Sequence, residues 1–219
     1  MSRRLVISVA VSFACLMVGA CVPLPSIGVD GPYTGRVVEL ETGEPIGGVV
    51  VATYWGLLYQ KGSKYCYKET ITDKNGEFEI PGVICIAAFT PSKLHPPHVV
   101  IFKPGYIGYP PIKTKKSLYT GIKFDKDHRH NVINLDKAIT LSERSQTLKE
   151  VTSFLPYTFI GRDEPDDVIF ERELPHLFKL VKQEGEYLRN EWKQIRKERF
   201  KMEQVVPPIS HRFHSRLNR

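Results

Sequence analysis

Apolar residues recur along this chain in two rhythms, and the change from one to the other divides it. From Tyr33 onward, short runs rich in Val, Ile, Tyr, Phe and Thr are separated by Gly, Pro, Asn and Asp, the pattern of β-strands and turns. The runs are YTGRVVEL from Tyr33, VVVATYW from Val49, YCYKETIT from Tyr65, EFEI from Glu77, ICIAAF from Ile84, HVVIFK from His98 and NVINLDKA from Asn131. Phe78 and Ile80 fall on one face of a strand, so that face is predicted to be core. No helical stretch lies between the runs. This excludes a βαβ sheet and predicts antiparallel pairing in a sandwich or partial barrel.

Beyond the last run the spacing turns helical. Thr140-Leu141-Ser142-Glu143 has the form of a capping box, and Leu148, Val151 and Leu155 follow at helical intervals until Pro156. A link through Gly161-Arg162-Asp163-Glu164-Pro165 leads to Leu174, Val181, Leu188, Ile195 and Met202, joined by Leu177, Phe178 and Trp192. Such a stripe predicts an amphipathic helix that packs on something. It covers either the sandwich or the first helix, or else it serves a coiled-coil or other partner. Glu184 and Gly185 interrupt the seam and weigh against a long coiled coil.

The N-terminus has a different pattern again. Arg3 and Arg4 precede sixteen uncharged residues, Leu5 to Ala20. This run is shorter than the roughly 20 residues of a spanning helix and has the parts of a secretory signal. Its end, Val18-Gly19-Ala20-Cys21, resembles the lipobox of bacterial lipoproteins. The resemblance implies removal of residues 1–20 and a diacylglyceryl group on Cys21; the alternative is an ordinary signal peptide that carries a cysteine. Two or three acyl chains hold a protein on a membrane where one would not. Val22, standing where an aspartate would retain such proteins, implies sorting to the periplasmic face of the outer membrane. Residues 21–32 then read as a tether, with Pro23, Pro25 and Pro32.

Of the four cysteines, Cys15 leaves with the signal and Cys21 takes lipid, which leaves Cys66 and Cys85. In an oxidising compartment they are expected to form a disulfide, worth roughly 3 kcal/mol for a loop of about 20 residues. Two buried free thiols are the alternative. No histidine lies near either in sequence, so catalytic use is not expected.

One stretch of the β region resembles a known family. Gly35-Arg36-Val37-Val38-Glu39, then Thr42-Gly43-Glu44-Pro45-Ile46-Gly47-Gly48-Val49-Val50-Val51, then Thr72-Asp73-Lys74-Asn75-Gly76-Glu77-Phe78-Glu79-Ile80, and Phe102-Lys103-Pro104-Gly105-Tyr106 are similar to the carboxypeptidase regulatory-like, or transthyretin-like, domain. In physical terms Thr42 to Pro45 turns the first strand into the second, and Asp73 to Gly76 makes a tight hairpin. The resemblance covers Tyr33 to Ala138, with a long excursion from Gly105 to Arg129. It implies a seven-stranded antiparallel sandwich of prealbumin topology at 33–139; the helical spacing that follows predicts an extension at 140–203, and the basic, Pro-broken end predicts a disordered tail at 204–219. The resemblance also implies a non-catalytic binding module. One branch of that family hydrolyses hydroxyisourate, but it ends in a Tyr-Arg-Gly-Ser that this chain lacks.

Charge falls unevenly. From Leu174 to the end there are eleven Lys and Arg against five Asp and Glu, so the basic balance belongs to the C-terminal part. Lys193, Arg196, Lys197, Arg199 and Lys201 are the candidate binding residues, followed by a Pro-broken stretch predicted to be disordered. In the cytoplasm such a tail would suggest nucleic acid. An exported lipoprotein instead meets lipid headgroups, lipopolysaccharide phosphates and peptidoglycan carboxylates, so no nucleic acid partner is expected.

Other chemistry is sparse. His95 and His98, His128 and His130, and His211 and His214 each offer two imidazoles, short of the three or four ligands of a zinc site, and no metal or cofactor is expected. Asp73 and Asn75 lack the ligand series of a calcium loop, and Asp125 and Asp127 sit among Lys123, Lys126 and Arg129 in what reads as a solvated loop. No nucleophile elbow, phosphate-cradling Gly loop or His-Glu-x-x-His is present. Tyr54, Trp55, Tyr59, Tyr65 and Tyr67 are the residues a glycan-stacking face would use. The leading expectation is a non-enzymatic, membrane-anchored envelope lipoprotein that binds a protein or an anionic envelope component; the alternative is a glycan-binding accessory module.

Overall fold

A computed structural model describes residues 26–56, 65–87, 94–113, 122–154 and 166–205. The chain is mainly β with C-terminal helices. Its strands are β1 (Ser26–Asp30), β2 (Tyr33–Glu39), β3 (Val50–Gly56), β4 (Tyr65–Ile71), β5 (Glu77–Ile80), β6 (Val83–Ala87), β7 (His98–Phe102) and β8 (His130–Leu135). The helices are α1 (Leu141–Phe154), α2 (Asp166–Glu173) and α3 (Pro175–Val205).

Strands β5-β2-β8 form one sheet, β4-β3-β7 a second, and β1 with β6 a two-stranded ribbon. The alternating residues of all three meet in one core that holds Tyr33, Val37, Trp55, Ile80, Ile101 and Leu135. Phe78 and Ile80 both enter it, as period-two patterning requires. The excursion after Gly105 returns to this core through Ile107, Ile112 and Phe124.

Three expectations are corrected. Residues 26–30 are not part of a tether: Ile27 and Val29 alternate with Gly28 and Asp30, and the segment pairs with β6 as an eighth strand. The pairing is not all antiparallel, because β2 and β8 run parallel, with Gly35 opposite Asn131. These strands lie too far apart in sequence for a short turn to impose a direction. Nor is Asp73 to Gly76 a simple hairpin, since it carries the chain from β4 in one sheet to β5 in the other. The turn itself is tight. Gly76 N–H donates to the Asp73 carbonyl at 3.0 Å, and Asp73 Oδ1 accepts from the backbone of Asn75 and Glu77. Gly76 has φ +75°, which only glycine adopts without strain, and a Cβ there would run into the Val37 carbonyl oxygen.

Every residue of β3 is buried because the sheet it centres is covered twice. Val51 and Trp55 face the main core, while Val50 and Ala52, with Val100 and Phe102 of β7, lie under Val151, Leu174 and Leu177 of the helical layer. Burying each such aliphatic side chain contributes roughly 2 kcal/mol, enough to dock the helices on the sheet. The start of the α3 seam is therefore consumed by this chain's own sheet.

Candidate functional site

The two long helices meet in a polar joint beyond that apolar contact. The Thr140–Glu143 capping box is formed, with Glu143 N–H donating to Thr140 Oγ1 and Thr140 N–H to Glu143 Oε2, each at 3.1 Å. One turn later, Arg144 reaches Glu184 of α3 with two parallel bonds, Nε to Oε1 at 2.7 Å and Nη2 to Oε2 at 2.6 Å. Glu184 is only 3% exposed, and the guanidinium also stacks 4.0 Å from the Tyr187 ring centre. These hydrogen bonds hold the Arg144 pKa above its usual value. The seam interruption at Glu184 is thus a buried ion pair. Gly185, next to it, faces Leu148 with room for a Cβ, which would lie 3.8 Å from the leucine side chain.

Past this joint the helices enclose an open cleft of about 450 Å³. Leu148 and Leu188 form its apolar floor, Trp192 one wall, and Arg189, Lys193 and Arg196 supply the charge. Trp192 is 44% exposed, with its indole N–H directed at Ser145 Oγ, 3.4 Å away. Phe200 is more exposed still. The five basic residues singled out in the sequence are all exposed, but they do not form one face. Lys193, Lys197 and Lys201 stack at intervals of four on one side of α3; Arg196 and Arg199 fall on the Trp192 side.

Other candidate residues take structural roles. Cys66 and Cys85 are disulfide-bonded, with Cα atoms 6.2 Å apart, joining β4 to β6. Cys21, Tyr59, His211 and His214 lie outside the described residues. Strand alternation puts Tyr54 and Trp55 on opposite faces of β3, and both are buried, so they share no glycan-stacking strip. His128 Nδ1 bonds Asp125 at 2.8 Å, while His130 Nδ1 bonds Thr34 Oγ1 at 3.0 Å, which turns the two imidazoles to different partners. The His128 bond holds the Asp125 carboxyl below its usual pKa, and the same oxygen accepts the backbone N–H of Asp127, as in an ordinary turn. Among the described residues no three His, Cys, Asp or Glu side chains converge on a metal position, and no helix is long and apolar enough to cross a membrane.

Sequence reasoning missed two residues that organise this region. Glu69 on β4 caps α3 from outside, accepting the backbone N–H groups of His176 at 2.8 Å and Leu177 at 3.1 Å. Asp30 accepts from Trp55 and Tyr33. The alternation around Ile27 and Val29 was the available signal for β1; nothing local marks Glu69 as a cap.

No family model matches this chain, and no curated protein matches it. Among solved structures it is similar to the crystal structure of a 9R-lipoxygenase from Cyanothece PCC8801, at 12% identity and a TM-score of 0.26. That match covers 67% of this chain but spans only 27% of the lipoxygenase chain. A likeness at that score defines neither a shared fold nor a shared site.

Proposed function

We propose that this chain is a non-enzymatic, lipid-anchored module of the cell envelope, held by Cys21 at the periplasmic face of the outer membrane, that binds an acidic, amphipathic protein segment through the cleft between α1 and α3. In this reading β2 to β8 make up the seven-stranded transthyretin-like unit, β1 is an addition to it, and α1 to α3 are the binding appendage. The observation that carries the proposal is the composition of the cleft. Exposed Trp192 and the apolar floor offer burial, while Arg189, Lys193 and Arg196 offer charge, in the aromatic-plus-arginine mixture typical of interface centres. A purely anionic polymer would use the lysine face but leave the Trp192 indole in water.

The test is a photo-crosslinking amino acid at Trp192 in intact cells, with and without Arg189→Glu and Arg196→Glu. A discrete protein adduct that the charge reversals abolish is the expected result. Adducts unchanged by reversal, or found only with polysaccharide, would overturn the proposal. Cys21→Ser should release the protein from membranes on fractionation; retention would overturn the anchor.

A further inference from the structure

The outward face of the β1–β6 ribbon is apolar. Val83 and Cys85 point inward and are buried, whereas Ile27, Val29, Ile84 and Ile86 point outward and are 63%, 67%, 67% and 54% exposed. The register sets Ile27 opposite Ile86 and Val29 opposite Ile84, so the four branched side chains form one cross-strand block with no polar residue inside it. Single exposed aliphatics are ordinary on a protein surface; a contiguous block of four approaches the size of an interaction patch.

The ribbon cannot turn this face inward. Asp30, at the end of β1, is fixed by the Trp55 indole at 2.7 Å and the Tyr33 hydroxyl at 2.8 Å. On the other strand, Cys85 is bonded to Cys66. The outward face is therefore presented rigidly. Its position along the chain says what covers it. Ser26 follows Cys21 by five residues, a reach of at most about 18 Å, so a lipid on Cys21 would hold the headgroup region beside this ribbon. Charged groups stand nearby: Lys126 lines the same cleft as Ile27 and Val29, together with Asp125, which bonds His128, and Asp30, which bonds Trp55 and Tyr33, and Arg129 Nη1 donates to the Gly31 carbonyl at 2.6 Å.

We infer that Ile27, Val29, Ile84 and Ile86 rest in the bilayer interface, so that the ribbon lies on the membrane and fixes the orientation of the whole domain. This rests on the lipid anchor proposed above. Interfacial insertion of an apolar face adds to an acyl anchor, and headgroup phosphates suit the adjacent Lys126 and Arg129.

The experiment uses the mature lipidated chain on phosphatidylethanolamine–phosphatidylglycerol vesicles that carry doxyl-labelled lipid. Ile84→Trp places an indole on the face, and Val132→Trp places one at an exposed position on the other sheet; each is read as a difference from the unsubstituted protein. Shallow doxyl groups should quench the Ile84→Trp signal roughly twofold or more beyond that of Val132→Trp. Ile86→Trp should reproduce the result, and a cooperative melt verifies folding of each variant. A chain that floats with vesicles while both indoles quench alike would overturn this inference and spare the anchor. A chain that fails to float would overturn both. Quenching independent of doxyl position, with acrylamide shielding that grows with protein-to-lipid ratio, would show a second copy on the face and also overturn it.

Discussion

The indole N–H of Trp55 donates to Asp30 Oδ2 across 2.7 Å, tying the fully buried Trp55 near the end of β3 to the end of the ribbon strand β1. The Tyr33 hydroxyl donates to the same carboxylate, at 2.8 Å to Oδ2 and 2.9 Å to Oδ1. Burial, followed by this bond and the Asp30 charge, raises the Tyr33 pKa well above the ordinary phenol range, so it remains a donor. Asp30→Ala would leave both donors without their partner and is expected to cost about 1–3 kcal/mol in urea unfolding, with Tyr33→Phe costing less. Equal stability of Asp30→Ala and the parent would show that the carboxylate does not hold the ribbon.

The Arg144–Glu184 pair makes a second, independent prediction. Removing one member of a fully buried pair costs about 3–5 kcal/mol. Arg144 keeps 20% of its side chain in water, so Glu184→Gln should cost nearer 2 kcal/mol. The pair Arg144→Met with Glu184→Leu should lose less than the sum of the single changes, measured by a double-mutant cycle. Additivity would mean that the two helices are joined by the apolar contact alone.

Gly185 should respond in the opposite direction. A Cβ there would meet Leu148 at 3.8 Å, ordinary contact, and its backbone is helical. Gly185→Ala is therefore expected to raise stability by about 0.5–1 kcal/mol in a thermal melt. A lowered melting temperature would show that the helices need the closer approach that glycine permits.

Acid should weaken the fold through His98. Partial burial, aided by the nearby charge of His95, holds its pKa below the ordinary value, and its ring stacks on Tyr54 with centroids 4.7 Å apart. The unfolded chain therefore binds this proton first as pH falls through about 6.5, and stability drops from there until the folded-state pKa is passed. Above that window the group contributes no pH dependence. His98→Gln should flatten the fall in urea midpoint between about pH 7 and about pH 5. An unchanged slope would assign the acid sensitivity to other groups.

How far the sequence could be read depended on how far apart the interacting residues lie. The seven runs from YTGRVVEL to NVINLDKA each contain or overlap a strand, and the Thr140 capping box opens α1 as its spacing predicts. The α3 stripe is helical, yet its destination could not be inferred, since Leu174 and Leu177 would suit a sheet or a partner equally. The basic residues were identifiable as exposed cations. Their division into a lysine face and an arginine face with Trp192 follows from helical phase, but the cleft they border exists only because α1 packs alongside.

Local patterning, then, was enough to make strands, turns and helices, because a period of two or 3.6 and a capping hydrogen bond are complete within a few residues. The fold as a whole settled what each element serves: the parallel seating of β8 on β2, the second buried face of β3, and the capping of α3 by Glu69 from a strand more than a hundred residues earlier. Those contacts join groups with no local relation in sequence. They form only where the backbone has already brought the two sheets and the helical layer together, and their residues carry no mark of it beforehand.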